Sequence, residues 1–410
     1  MRNILYKSTF VFIALLLFGC NSDDDITIIP DDEVTTEVVD SVLVSATKSA
    51  SLPSFVVRNL VNSSPLASFS NQIQYDIDIF RIEYTTHFFG EEITVSGLLC
   101  IPKGEGPFPI VSAHHGTIVK ENSAPSHYSA ITNAASSESY ELLASAGFIT
   151  IVPDYIGYGA SSSFFHPYYH AELTTNATID GIKAAKEYAS LNNIQENEQL
   201  FLIGYSEGGY VTLATQRAIE NSPNLDWTIT ASAAGAGAYN LRGVMSSILQ
   251  EEIYTTPHYI AFVAQSYNTS NNWNNPLTDY FNEPFASSLP ELFNGINGAG
   301  VINANLNDTL SVLVHPSFLT DLRTGTEGQF LEELERNSVN NWTPIAPLRM
   351  YHGDADNIVP FSDSQETYTN FLLNGATNVT FTSIPDGTHT TAIEPMIVDV
   401  IPWFLSLVEK

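Results

Sequence analysis

The chain has 410 residues, of which 44% are hydrophobic and 15% charged, enough apolar material for a packed core and too little charge for a disordered chain. A formal charge of −30 repels phosphate backbones and leaves no basic stripe, so nucleic acid is excluded as a partner. The length suits one α/β core carrying a large insertion.

At the N-terminus, Arg2 and Lys7 precede the apolar run Phe10 to Phe18, then Gly19 and Cys20. These are the charged and apolar regions of an export signal, and the run is too short to span a bilayer. Leu17-Phe18-Gly19-Cys20 resembles the lipobox of bacterial lipoproteins, which implies removal of residues 1–19, acylation of Cys20 and the membrane as a partner. Asn21-Ser22 with Asp23-Asp24-Asp25 resembles the signal that sends lipoproteins of Bacteroidetes-type bacteria to the outer cell surface. Residues 20–45, rich in Asp, Glu, Thr and Val without a helical period, read as an acidic tether. With Cys20 lipidated, Cys100 has no disulfide partner; it sits in the apolar run Val95 to Ile101 and reads as a small buried hydrophobe.

Tyr75 to His87 and Glu92 to Ile101 alternate and are rich in β-branched and aromatic residues, so they predict an antiparallel hairpin around Phe88-Phe89-Gly90-Glu91. From Pro109 the pattern changes to short apolar runs at 110–113, 148–153, 201–204 and 228–234, which suit buried parallel strands. Ser139 to Ala146 and Ala177 to Ser190 carry apolar residues at spacings of three and four and predict crossover helices. Residues 241–344 break the alternation and predict an inserted helical cap. Strands return at 347–353 and 379–385, before a final apolar helix from Ala392 to Val408. The core is thus expected over 46–240 and 345–410, as a mostly parallel sheet flanked by helices.

Within this frame, Phe201 to Tyr210 reads FLIGYSEGGY, an apolar strand running through Ser206 into the helical spacing of Tyr210 to Glu220. Gly-x-Ser-x-Gly at a strand–turn–helix junction predicts a nucleophile elbow, with Gly204 and Gly208 lacking the side chains that would collide where strand and helix cross. A serine hydroxyl needs an imidazole to take its proton and a carboxylate to fix that imidazole. Of the histidines after Ser206, namely His258, His315, His352 and His389, only His389 follows strand-end acids, and it lies in the polar loop PDGTHTTAIEP. The acids are Asp354 and Asp356 in YHGDADNIVP, and position alone leaves the pair open. A calcium loop starting at Asp354 fails, since its sixth position is Val359 and its twelfth Gln365. An oxyanion hole should use the amide of Glu207 and a second amide from VSAHHGT, with Thr117 first and Gly116 second. His114 and His115, or His166 and His170, lack a third ligand at recognisable spacing, so neither a metal nor another cofactor is expected.

Together with GYSEGG, the stretches AHHGT, APS at 124–126, PDYIGYGAS at 153–161, HPYYHAE at 166–172 and GDADNIVP at 353–360 resemble the secreted lipase-like α/β-hydrolases related to the fungal secretory lipases. The resemblance runs from about Tyr84 to the C-terminus and is absent from the cap. It implies the α/β-hydrolase fold, a carboxylic ester hydrolase with chain order Ser, acid, His, and a cap over an acyl pocket. The family loop Gly-x-x-Asp-x-x-Val-Pro is matched by Gly353, Asp356, Val359 and Pro360, which implies Asp356 as the acid. Asp354 is then expected to accept a hydrogen bond from the backbone two residues on. HPYYHAE is expected to brace the elbow rather than touch substrate. The function expected is an esterase or lipase acting on small-molecule or lipid esters. The alternatives are an acetyl or feruloyl esterase acting on polysaccharide, a serine peptidase of the same fold, and a non-catalytic surface lipoprotein that binds carbohydrate or lipid.

Overall fold

The computed structural model describes residues 41–63, 65–128, 140–326 and 328–409; the expected signal, Cys20 and most of the tether lie outside them. Strands β1 (Leu43–Leu52), β2 (Asp76–Phe88), β3 (Glu91–Lys103), β4 (Phe108–His114), β5 (Ile149–Pro153), β6 (Glu196–Tyr205), β7 (Ile229–Gly235), β8 (Leu348–Gly353) and β9 (Val379–Ile384) form one sheet in the order β1-β2-β3-β5-β4-β6-β7-β8-β9. The predicted hairpin is β2 and β3, in register from Asp76 opposite Lys103 to Phe88 opposite Glu91. Phe89 and Gly90 turn it with φ of 49° and 86°, the left-handed pair that matches strand twist in a two-residue hairpin.

From β5 to β9 every neighbouring pair is parallel. All of β4 and β5 is buried, which is why these segments read as unbroken apolar runs rather than alternating ones. The chain lays down β4, steps out to β5, then returns past β4 to β6. Strand order therefore reverses between β4 and β6, and the crevice outside the carboxyl ends of those strands is where ligands of open α/β sheets bind.

Helices α1 (Ser54–Asn62) and α2 (Tyr140–Ser145) and the C-terminal helix Ile393–Leu407 cover one face, where Val111, Ala113, Phe201 and Ile203 point. Against the other face, where Ile110, Leu200 and Leu202 point, lie α3 (Ala171–Leu191) and α4 (Glu207–Asn221). Alternate residues of one strand thus feed two separate cores. Between β7 and β8 come α5 (Leu241–Gln250), α6 (His258–Ser270), α7 (Phe285–Leu292), α8 (Ala299–Asn305), α9 (Leu310–Leu313), α10 (Pro316–Thr324) and α11 (Gln329–Asn337). Their apolar faces share one cluster with Tyr210, Val211 and Leu213 of α4, so this insertion is packed onto the core instead of forming a core of its own. Helix α12 (Phe361–Leu373) joins β8 to β9, and the C-terminal helix completes the set as α13.

Two features depart from the expectation. Strand β1 begins at Leu43, inside the stretch expected to be tether, and pairs antiparallel with β2 through two register shifts. It is a half-exposed edge strand, so it lacks the apolar run that marked the others. Helix α12 was not foreseen; its polar sequence FSDSQETYTNFLL buries only Asp363, Ser364, Thr367 and Phe371.

Candidate active site

Ser206 stands between β6 and α4 with φ of 59° and ψ of −124°, a left-handed backbone that a serine adopts only where its surroundings impose it. Its amide donates to Gly235 O at 2.8 Å, tying the turn to the end of β7. A Cβ at Gly204 would lie 2.2 Å from Gly208 O, and one at Gly208 would lie 2.0 Å from His114 O, so neither position has room for a side chain. The close crossing of β6, α4 and the end of β4 pushes the Ser206 side chain out over the sheet.

His389, in the loop between β9 and α13, places Nε2 2.9 Å from Ser206 Oγ and Nδ1 2.6 Å from Asp356 Oδ2. With Nδ1–H donated to the carboxylate, the Nε2 lone pair faces the serine hydroxyl, the tautomer a general base requires. The Asp356 side chain is fully buried, and Oδ1 accepts the amides of Ile358 at 2.8 Å and Val359 at 3.0 Å. Burial alone would raise its pKa, but hydrogen bonds from His352 and His389, the His389 charge and the Ile358 amide outweigh that and hold the carboxyl well below the usual range. Asp354 is exposed and accepts the amide of Asp386 at 2.7 Å. The turn bond to the residue two positions on, expected of Asp354, is made by Asp356 instead, because the buried loop points Oδ1 back along its own backbone.

As the first residue of α4, Glu207 has an amide with no acceptor inside the helix and directly follows Ser206 in the chain. Gly116 and Thr117, in the loop after β4, line a cavity together with Ser206 and His389. Thr117 Oγ1 meets Tyr168 OH at 2.8 Å, which fixes the far side of that loop. His114 donates Nδ1–H to Thr212 Oγ1 at 2.8 Å and approaches Ser112 Oγ at 3.0 Å, a buried structural histidine whose pKa burial lowers to about 3. His166 donates from Nδ1 to Ile156 O at 2.7 Å, and its Nε2 lies 2.8 Å from Glu207 Oε1. This buried pair clamps the first turn of α4, the bracing role expected of HPYYHAE, and His170 caps α3 by accepting the Leu173 amide, but Tyr168 and Tyr169 of the same stretch line the apolar cavity at Ser206, so the stretch is more than a brace. Among the described residues no three His, Cys, Asp or Glu side chains converge as a metal site.

Two cavities meet at Ser206. One runs beneath the insertion between apolar side chains that include Leu241, Val244, Met245, Ile248 and Val263. The other is more polar, bounded by His114, Gly116, Thr117, His389 and Ile397. Tyr259 borders both. The arrangement can hold an apolar chain on one side of an acyl carbon and a different group on the other.

Sequence reasoning named the members of this site but missed the contacts His352–Asp356 and His166–Glu207. The only available signal for the first was His352 standing four residues before Asp356 at the end of β8.

A model of the secretory lipase family matches residues 124–404. Lipase 6 of Candida albicans is 25% identical over 259 residues, covering 60% of this chain and 52% of that protein. The chain spans about half the length of the curated relatives it matches. A candidate hydrolase of Legionella pneumophila superposes with a TM-score of 0.82 at 25% identity, covering 89% of this chain and 98% of that one. The rice cell wall degrading esterase LipA of Xanthomonas oryzae superposes with a TM-score of 0.79 at 24% identity, again over 89% and 98%. The fold is that of the α/β-hydrolases.

Proposed function

The chain belongs to the secretory lipase family, and from that membership we propose that it is a serine carboxylic ester hydrolase, an esterase or lipase acting on lipid or other small-molecule esters. The observation that carries the reading is the unbroken line from Ser206 Oγ through His389 to Asp356, at 2.9 Å and 2.6 Å. In this reading Ser206 Oγ attacks the ester carbonyl as His389 Nε2 takes its proton, and the amides of Glu207 and of Gly116 or Thr117 receive the developing oxyanion. His389 then gives the proton to the departing alkoxide, leaving an acyl-serine. Water, deprotonated by the same nitrogen, attacks that acyl group, and the acid leaves as the proton returns to Ser206. Asp356 keeps its charge throughout and steadies the imidazolium.

The apolar cavity beneath the insertion suits the acyl chain, and the polar one the alcohol. Residues 241–344 thus serve as the cap. The test is hydrolysis of p-nitrophenyl esters from acetate to palmitate beside feruloyl, acetyl-xylan and aminoacyl substrates, by the parent and by Ser206→Ala. Ester turnover that vanishes in Ser206→Ala supports the reading; undiminished turnover in that variant, or preference for the aminoacyl substrates, overturns it. Export accords with the signal-like N-terminus and with the secretory family, and acylation of Cys20 would anchor the enzyme to a membrane. Mass spectrometry of the mature protein decides this: an acylated Cys20 supports it, and an unmodified one overturns it.

A further inference from the structure

Asp356 has more partners than a triad acid requires. A carboxylate offers about four lone-pair sites, and here each has a donor: the amides of Ile358 and Val359 on Oδ1, and His389 Nδ1 together with His352 Nε2, at 3.1 Å, on Oδ2. His352 is fully buried. Its Nε2 faces two acceptors, Asp356 Oδ2 and Val359 O at 3.2 Å, so that nitrogen carries the proton. Its Nδ1 lies 2.7 Å from Ser364 Oγ on α12 and accepts that hydroxyl, which fixes the tautomer. A second imidazole is thus locked as a donor to the very oxygen that His389 uses.

We propose that His352 is a positioning residue of this site: by sharing Asp356 Oδ2 with His389 it holds the carboxylate in place and limits how strongly that carboxylate binds the His389 imidazolium. This rests on the triad reading above. The physical reason is that each hydrogen bond donated to a carboxylate stabilises its charge and reduces its pull on a further proton. His389 therefore stays neutral, and able to accept the serine proton, to lower pH than it would with Asp356 alone.

The groups facing His352 are Asp356 and Val359 O from its own loop, the Phe361 ring at 5.6 Å, and Ser364 and Asp363 from α12. Asp363 spends its two oxygens on the amides of Tyr239 and Asn240, at 2.8 and 2.9 Å. His389 faces Ser206, Asp356 and the Tyr205 ring at 5.5 Å, and Tyr254 and Tyr259 lie within electrostatic reach of Asp356. Burial pushes the Asp363 carboxyl up to about 6, so it titrates in the window of interest and His389 must be observed directly.

The experiment is an NMR titration of histidine-labelled protein, with the His389 signal assigned through His389→Gln, in the parent and in His352→Leu, His352→Gln and His352→Asn. Leucine removes the donor, and the His389 midpoint is expected to rise by about half to one pH unit, carrying the acid limb of kcat/KM with it. Glutamine can donate to the same oxygen and should return most of the shift. An unmoved His389 midpoint in His352→Leu overturns the proposal. If that variant does not fold, His352→Asn, which is too short to reach Asp356 Oδ2 and keeps a polar partner for Ser364, should shift the midpoint upward likewise, and no shift there overturns it equally. Because the titration needs no turnover, failure of the triad reading is seen separately, as ester hydrolysis that survives in Ser206→Ala.

Discussion

Replacing Asp356 with asparagine changes one oxygen to an amide nitrogen and leaves the shape intact. Two orientations are open to it. With its nitrogen at Oδ1 it would oppose the amides of Ile358 and Val359, two donors that cannot become acceptors. With its nitrogen at Oδ2 it opposes one locked donor, His352 Nε2, and His389 Nδ1, whose imidazole can change tautomer. The second orientation wins, and it moves the His389 proton to Nε2, where it points at Ser206 Oγ and blocks proton acceptance. Exchanging the triad aspartate for asparagine in a serine protease lowers turnover about 10⁴-fold, equivalent to about 5.5 kcal/mol of transition-state stabilisation. We expect Asp356→Asn to lose kcat by about that factor, with far-ultraviolet circular dichroism unchanged. Asp354→Asn should stay within about threefold of the parent, since a side-chain carbonyl can still accept the Asp386 amide and the site is exposed. Steady-state kinetics on a short p-nitrophenyl ester reads both, and near-parental kcat in a folded Asp356→Asn refutes the reasoning.

Gly208→Ala would place a Cβ 2.0 Å from His114 O, displacing the loop that carries Gly116 and Thr117; a kcat loss of about 10²–10³-fold is expected, the cost of one oxyanion donor, and parental kcat speaks against the crossing described. Ile248→Trp should fill part of the apolar cavity and reduce kcat/KM for decanoate at least about tenfold more than for acetate, a gap that disappears if the acyl chain lies elsewhere. Burial lowers the pKa of His258 from 6.5 to about 4, so the folded state refuses a proton that the unfolded chain accepts, and its contribution is full above pH 6.5 and lost as pH falls towards 4. The urea midpoint of the parent should therefore drop more steeply across that window than that of His258→Asn, and parallel profiles would contradict this.

The parts of the fold legible in the sequence were those with a local cause. Buried parallel strands leave unbroken apolar runs, the β2–β3 hairpin leaves alternation around Phe89-Gly90, and a tight strand–helix crossing demands Gly204 and Gly208 whatever the rest of the chain does. Those signals place Ser206 and, with the strand-end loops, put the acids and His389 in order. Strand β1 escaped because an edge strand needs no apolar run, and α12 because it buries mostly polar side chains.

What the tertiary structure alone decided is whatever depends on direction and on long separations in the chain. His389 and Ser206 are 183 residues apart, and Asp356 and His389 are 33 apart, so their hydrogen bonds exist only because β6, β8 and β9 end on the same edge of the sheet. The same convergence turns Asp356 inward and Asp354 outward, although two residues of one loop look alike as letters. It also brings His352 to the carboxylate and His166 to Glu207 across a separation of 41 residues. A sequence states which groups are present and in what order, but which lone pair meets which proton is set by the packing of the sheet and its helices.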